Sequence, residues 1–219
     1  MTELGGYITE FLFPLLIAAK VTVQVSLGAF VFAIATGLIL ATLRYLLPIA
    51  LIRVPIAVFV EIFRNVPSLT HLFIIYFGLA YAGIRFGSMS SAIIALGLIG
   101  GATLTDVFRA GFEAVHAGQR EAALAVGMTP RLAFREIILP QTWRVTLPPI
   151  GNYAVQLVKD TSLVAAIAAP EVMFTARNLV VTTFETSIIY AFAAGVYLLL
   201  CLPLSRLAKT LEQRMAIPR

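Results

Sequence analysis

Apolar positions in this chain run on in long unbroken stretches. From Phe11 to Leu43 the only charged residue is Lys20. A helix apolar around its whole circumference belongs in an apolar medium, and this run exceeds the roughly 20 residues that cross a bilayer. It predicts a first span over about 11–43, long enough to tilt or to extend past one face. Further apolar runs predict spans over about 54–81, 90–107, 143–168 and 184–204. A short break at Arg44 to Arg53, containing Pro48, separates the first two, and a turn through Gly83, Arg85 and Gly87 separates the next two. A loop of mixed polarity covers Ala169 to Thr183, and a basic tail ends the chain. The fold class expected is all-α integral membrane, five transmembrane helices in a single domain over 1–219. A soluble core would give shorter runs.

One polar island interrupts this pattern, over about 117–140 between the third and fourth spans. Glu121-Ala122-Ala123-Leu124-Ala125-Val126 is a short run of helix formers. Gly127 suits the left-handed position that ends a helix. Thr129-Pro130 reads as the N-cap and first residue of a second helix, which carries Leu132, Phe134, Ile137 and Ile138 and closes at Leu139-Pro140. At 1.5 Å per residue the first helix is only about 10 Å long. That length plugs a cleft on a soluble partner and is far too short to cross a bilayer. Its small alanine face is packing surface without nucleophile or metal ligand, so nothing here is catalytic. An amphipathic hairpin lying at the lipid headgroups is the alternative.

Composition agrees with the pattern. Hydrophobic residues make up 60% and charged residues 12%, against about 25% charged in soluble domains, and mean hydropathy is +0.94. Arg44 and Arg53, then Arg109, Arg120, Arg131, Arg135 and Arg144, then Arg206, Lys209, Arg214 and Arg219 fall on one face of a five-span topology. The positive-inside rule makes that face cytoplasmic, with the N-terminus outside and the island and C-terminus inside. The net charge of +5 therefore reports topology. No soluble basic surface supports a nucleic-acid partner. Glu3 and Glu10 precede Lys20, the first basic residue, so the start lacks the basic region of a signal peptide and the first run should remain as a span. Cys201, the single cysteine, lies in an apolar run and reads as packing, and no cluster of His, Cys and carboxylates has metal-ligand spacing.

Glu121-Ala122-Ala123, Gly127, Ile137 and Leu139-Pro140 stand at the spacing of the EAA loop and resemble that motif of ATP-binding-cassette importer permeases. Phe63-Arg64 with Pro67, Tyr76-Phe77-Gly78-Leu79, Arg109-Ala110-Gly111 leading to Gly118-Gln119, Pro140-Gln141, Leu147-Pro148-Pro149 and Lys159-Asp160-Thr161-Ser162-Leu163 resemble the polar amino-acid uptake permeases of the histidine, glutamine and cystine type. Together these cover roughly Thr22 to Leu207. The resemblance implies a type I importer fold, with Gln119, Glu121, Ala122, Ala123, Gly127, Leu139 and Pro140 coupling to an ATPase. It implies a second permease subunit (the same chain or a paralogue), an ATP-binding-cassette ATPase dimer, a periplasmic or lipid-anchored amino-acid-binding protein, and the bacterial inner membrane. The chain has no Gly-x4-Gly-Lys-Ser/Thr phosphate loop. ATP and Mg are accordingly expected on the partner ATPase, with no cofactor on this chain and no enzyme activity of its own. Departures from the family pattern are Asn65-Val66 for Gly-Thr, His71 for Gln, Thr103 for Tyr and Asp106 for Glu. They lie in spans expected to line the pathway and bear on substrate identity.

Polar side chains within the spans need partners or a wet cavity, because a charge at mid-bilayer costs about 2.5–3.5 kcal/mol on insertion scales. Glu61 and Arg64, three apart on one helical face, can pair with each other, and Pro67 can kink the helix just beyond them. Asp106 has Arg109 three residues on as a neutralising partner. Lys159, Asp160, Thr161 and Ser162 offer donors and acceptors to a zwitterionic amino acid, or a network that locks an outer gate. His71 reads as a ligand contact or as packing, Thr103 joins the pathway set, and Lys20 snorkels. Two other function classes fit less of the pattern. An ion-coupled secondary transporter would use Glu61, Asp106 or Asp160, and a non-transporting scaffold leaves the island unexplained.

Overall fold

The computed structural model describes residues 6–47 and 49–215, so that Glu3, Pro48 and Arg219 lie outside the described residues. Helices α1 (Ile8–Leu46), α2 (Ala50–Asn65), α3 (Ser68–Tyr81), α4 (Ser88–Glu113), α5 (Ala117–Ala125), α6 (Pro130–Ile167), α7 (Val172–Thr183) and α8 (Thr186–Met215) follow one another, and no strand occurs among the described residues. By length and hydropathy α1, α4 and α8 can each cross a membrane alone. The pairs α2–α3 and α6–α7, bent by 108° and 49°, bring the number to five if each counts as one span.

Several expected boundaries move. The second apolar run is not one kinked helix. Val66 (φ −90°, ψ 136°) and Pro67 (ψ 137°) are both extended, and α2 stops at Asn65. The proline ring keeps the preceding residue out of the helical region. Conversely, Leu139-Pro140 does not close the hairpin's second helix, which continues as α6 into the fourth apolar run. Pro140 would lack a donor and crowd the preceding turn of a regular helix. That turn, Phe134–Ile138, is wound wider, with the Leu139 amide donating to the Phe134 carbonyl five residues back. The stretch expected as a loop over 169–183 is mostly α7, and the basic tail as far as Met215 is the helical end of α8.

The core is built on a seam of small residues. Ala29, Ala33, Gly37 and Ala41 recur every fourth position on one face of α1 and are buried. Ala33 meets Gly100 of α4 and Gly37 meets Leu104 and Thr105, while Phe32 and Thr36 beside them meet Gly97 and Gly101, an approach that leaves no room for a side chain on these glycines. A Cβ on Gly101 would lie 2.8 Å from Thr36, and one on Gly97 would lie 2.2 Å from the Phe32 ring. Close backbone approach of this kind is what holds helices together where lipid removes the hydrophobic drive. Tyr153 of α6 covers Gly100, and Thr142 and Thr146 of α6 press on Gly111, so α4 has α1 on one side and α6 on another. Buried Thr105, Thr142 and Thr146 donate to carbonyls of their own helices four residues back at 2.7–3.2 Å, which satisfies their hydroxyls without water. A second cluster joins Phe11, Leu15 and Ala18 of α1 to Val172 and Ala176 of α7 and to Ile189, Ala193 and Val196 of α8. The outer faces expose Leu27, Val31, Leu51 and Leu199, a surface suited to hydrocarbon.

Candidate functional site

The polar island folds as a hairpin whose chain reversal is held by hydrogen bonds at both helix ends. The His116 ring accepts from the Gly118 amide at 3.1 Å and opens α5. At its other end Gly127 takes φ +88°. The Met128 amide donates to the Ala123 carbonyl at 3.1 Å and the Gly127 amide to the Leu124 carbonyl at 3.0 Å, the paired bonds of a left-handed helix stop. Two residues later the Thr129 hydroxyl accepts from the Leu132 amide at 3.3 Å and Pro130 is the first residue of α6. The chain therefore reverses within Gly127–Thr129 and re-enters a helix at once.

The hairpin has an inner and an outer face. Ala123 is buried at 6% exposure, whereas Glu121, Ala122, Leu124 and Val126 are exposed, Val126 at 76%. The alanine face expected as one packing surface is thus divided. Ala123 holds the hairpin together, and Ala122 with Val126 is open to a partner. Gln119 of α5 accepts a hydrogen bond at 3.1 Å from Gln141 of α6, whose amide also donates to the Ile137 carbonyl at 2.8 Å. At the base, Phe134 and Ile138 are buried. The Phe134 ring meets Phe112 edge-on at 5.0 Å and Tyr45 at 5.4 Å, which fastens the hairpin to the ends of α4 and α1. Leu139 is half-buried beside this cluster and Pro140 is exposed.

A cluster of charges lies where α2 ends beside α4. The expected Glu61–Arg64 pair does not form. Arg64 instead pairs with Asp106, 42 residues away. Glu61 accepts from the Asn65 amide at 2.7 Å, and the same amide reaches the Glu61 carbonyl at 2.8 Å. The Val66–Pro67 break explains the exchange, because it ends α2 at Asn65 and lays its last turn against α4. Arg109 reaches Asp106 only at 3.5 Å and is held mainly by Glu113, at 2.9 Å. Thr103, one turn before Asp106, donates to the Ile99 carbonyl at 3.2 Å. His71, 5% exposed, stacks on Phe63 at 4.4 Å, and its Nε2 has no hydrogen-bond partner among the described residues.

Lys159–Ser162 form a separate place. Asp160 accepts from Gln156 at 2.9 Å, buried Thr161 donates to the Val158 carbonyl at 2.7 Å, Lys159 is exposed and Ser162 half-buried. Here α6 tightens into a 3₁₀ turn over Thr161–Ile167 and stops at Ala168, φ +56°. No hydrogen bond or ion pair joins this place to the Arg64–Asp106 cluster among the described residues.

Residues 33–217 match the family described as binding-protein-dependent transport system inner membrane component. The chain belongs to this family of permeases. The permease is 38% identical to a probable amino-acid permease of Bacillus subtilis, YxeN, over 94% of this chain and 93% of that one. It is 37% identical to a probable glutamine ABC transporter permease of the same organism, GlnM, over 72% and 73%. It is 32% identical to the B. subtilis L-cystine transport system permease TcyB, over 89% and 83%. Among solved structures it superposes on an amino acid ABC transporter with histidines at TM-score 0.83 and 28% identity, covering 97% of both chains. The methionine transporter MetNI, at TM-score 0.78 and 18% identity over 94% of this chain and 97% of that one, shares the fold. The resemblance drawn from the hairpin motif and the type I importer fold both hold.

Some of the permease's polar contacts were not singled out from its sequence. Glu113 stands four residues after Arg109, a spacing that signals a helical ion pair. Gln141 follows Pro140 in the motif, but its bond to Gln119 needs the hairpin closed. Glu171 lies in the stretch expected as a loop. It is fully buried, caps α7 by accepting from the Phe174 amide at 2.8 Å, and accepts from the Tyr197 hydroxyl at 2.5 Å. An acidic residue directly before Val172-Met173-Phe174 is the local signal for that cap.

Proposed function

We propose that this permease carries a polar amino acid across the bacterial inner membrane as the translocation subunit of an ATP-driven importer. The observation that carries the reading is mechanical. The exposed face of α5 is bonded through Gln119–Gln141 to α6, and α6 runs as one element from the hairpin to the Lys159–Ser162 segment. At 1.5 Å per residue that is about 50 Å of helix, less what the tighter and wider turns change. A cytoplasmic ATPase dimer gripping Glu121, Ala122 and Val126 would move α6 and, through Phe134, the ends of α1 and α4. ATP and Mg belong to that ATPase, the hairpin and C-terminus to the cytoplasm, and the N-terminus to the outside. A second permease subunit completes the path, and a binding protein delivers the solute.

The Arg64–Asp106 pair fits a zwitterionic cargo. Arg64 is half exposed and its guanidinium suits a carboxylate, while the Asp106 carboxylate suits an ammonium. An α-amino acid can part the pair and leave both charges compensated, so passage needs no net charge in a dry environment. Glu61, Thr103 and His71 surround this exchange, and Lys159–Ser162 act separately as the other end of the route.

The test is reconstitution with the ATPase and binding protein, followed by uptake of a labelled amino-acid panel. Uptake of one or more polar amino acids is expected, and Val126→Asp is expected to lose ATPase binding while its helicity is kept. Transport of some other solute alone sinks the substrate class. A Val126→Asp variant that still binds the ATPase and transports sinks the docking face.

A further inference from the structure

A cavity of about 640 Å³ opens at the arginine-rich end of the bundle, between the end of α1, the start of α2, the end of α4, α5 and the start of α6. Its charged lining is Arg44, Arg53, Arg109, Arg120 and Glu113, with Tyr45 beside them. Arg109 is held by Glu113. Arg44, Arg53 and Arg120 make no ion pair or side-chain hydrogen bond among the described residues. Three arginines without an ion-pair partner among the described residues line one hollow from three separate helices, and its volume lies within the roughly 300–1,000 Å³ of small-molecule sites.

Like charges gathered this way repel unless an anion lies among them. Arginine forks bind carboxylate and phosphate in a bidentate manner, but a carboxylate has only two oxygens to share. A phosphate group can accept from forks arriving from several directions. We infer that this cavity is an anion site for a phosphate-bearing group, held by Arg44, Arg53 and Arg120. Exposed Leu51 and Val54 flank Arg53 on the chain, so a lipid headgroup with its chains along them is one source of that chemistry, and a soluble phosphate is the other. An occupant ties α5 to α1 and α2, and thereby stiffens the hairpin against the bundle. The site is separate from the Arg64–Asp106 pair and does not depend on which solute is carried.

The test uses the purified full chain, its thermal midpoint followed by the fluorescence of Trp143. Phosphatidylglycerol, phosphatidylcholine, and inorganic phosphate against chloride of equal ionic strength are titrated in turn. Phosphatidylglycerol or inorganic phosphate is expected to raise the midpoint saturably. Arg44→Gln with Arg53→Gln is expected to weaken that binding roughly tenfold or more, the scale of lost charge-assisted hydrogen bonds. Arg135→Gln, a charge removed outside the cavity, is expected to leave it unchanged. A shift with phosphatidylglycerol alone assigns a lipid, and one that inorganic phosphate reproduces assigns a soluble anion. Circular dichroism of the double variant guards against misfolding, and native mass spectrometry counts retained lipid independently. No shift with either phosphate source overturns the site. So does an undiminished shift in a folded double variant, or equal weakening by Arg135→Gln.

Discussion

Replacing Gly37 by alanine tests whether the α1–α4 seam sets the stability of the bundle. The added methyl would lie 2.7 Å from the Leu104 Cβ, 3.0 Å from the Leu104 carbonyl carbon and 3.1 Å from the Thr105 nitrogen. None of these atoms can rotate away, since one is a Cβ and the other two are backbone. Carbon atoms rest at about 3.5–4.0 Å, so the helices must part by roughly 1 Å, and a gap of that size forfeits a quarter to a half of each neighbouring contact. Ala33 and Ala41, a turn to either side, lose packing with it. Overfilling of this kind costs about 1–3 kcal/mol. At roughly 2–4 °C per kcal/mol for chains of this length, the midpoint falls by about 2–12 °C. Trp143 packs edge-on against Phe108 at 6.2 Å, at the junction of α4 and α6, and reports the loss by fluorescence. Two controls bracket the effect. A Cβ on Gly195 meets nothing within 4 Å among the described residues, and the atoms nearest to one on Gly28 belong to the movable Ile93 side chain, the first at 3.0 Å. A Gly37→Ala midpoint equal to that of Gly195→Ala would refute the argument that backbone approach holds these helices.

Other perturbations separate the remaining contacts. Asp106→Asn removes the charge paired with half-exposed Arg64 and is expected to lower reconstituted uptake at least tenfold, on the scale of a lost hydrogen bond between charged groups. Glu113→Gln, whose polar partner among the described residues is Arg109, is expected to lower it far less, and equal losses would remove the special role of the Arg64 pair. Gln141→Leu deletes the bond to Gln119, worth about 0.5–1.5 kcal/mol. The ATPase should still co-purify while more ATP is hydrolysed per solute moved, and an unchanged ratio would show that the bond transmits nothing. Glu171→Leu uncaps α7 and leaves the Tyr197 hydroxyl without an acceptor, for a loss of about 1–3 kcal/mol by thermal unfolding. Glu171→Gln keeps an acceptor and should cost less, so the reverse order would count against the cap.

Local chemistry was legible in the chain and distant chemistry was not. The reversal at Gly127–Thr129 is written in residues that act on their own backbone, and the apolar run of α1 reports its surroundings directly. The Glu61–Arg64 expectation failed because a helical face offers only neighbours three or four residues away, while the observed partner sits 42 residues on in another helix. Proline misled in both directions. Pro67 ends α2 where a kink was expected, because Val66 also goes extended, whereas Pro140 passes through α6 because the preceding turn widens to receive it. Thr175, Arg177, Asn178 and Thr182 made α7 read as loop, although Glu171 supplies a cap and the fold supplies Thr22 and Tyr197 to meet it.

The wide turn at Phe134–Ile138 also fixes where the length of this chain can change. Each residue of a regular helix turns the next by about 100°, so gaining or losing one between Val145 and Val155 would swing Lys159 and Asp160 around the α6 axis relative to the α5 face. A five-residue-back bond already accommodates one extra residue within a single turn. Deleting one residue there returns an ordinary four-residue-back bond and leaves both ends of α6 in angular phase. Length variation along this helix is therefore tolerable at that turn, and elsewhere it decouples what grips the hairpin from what faces the far end of the bundle.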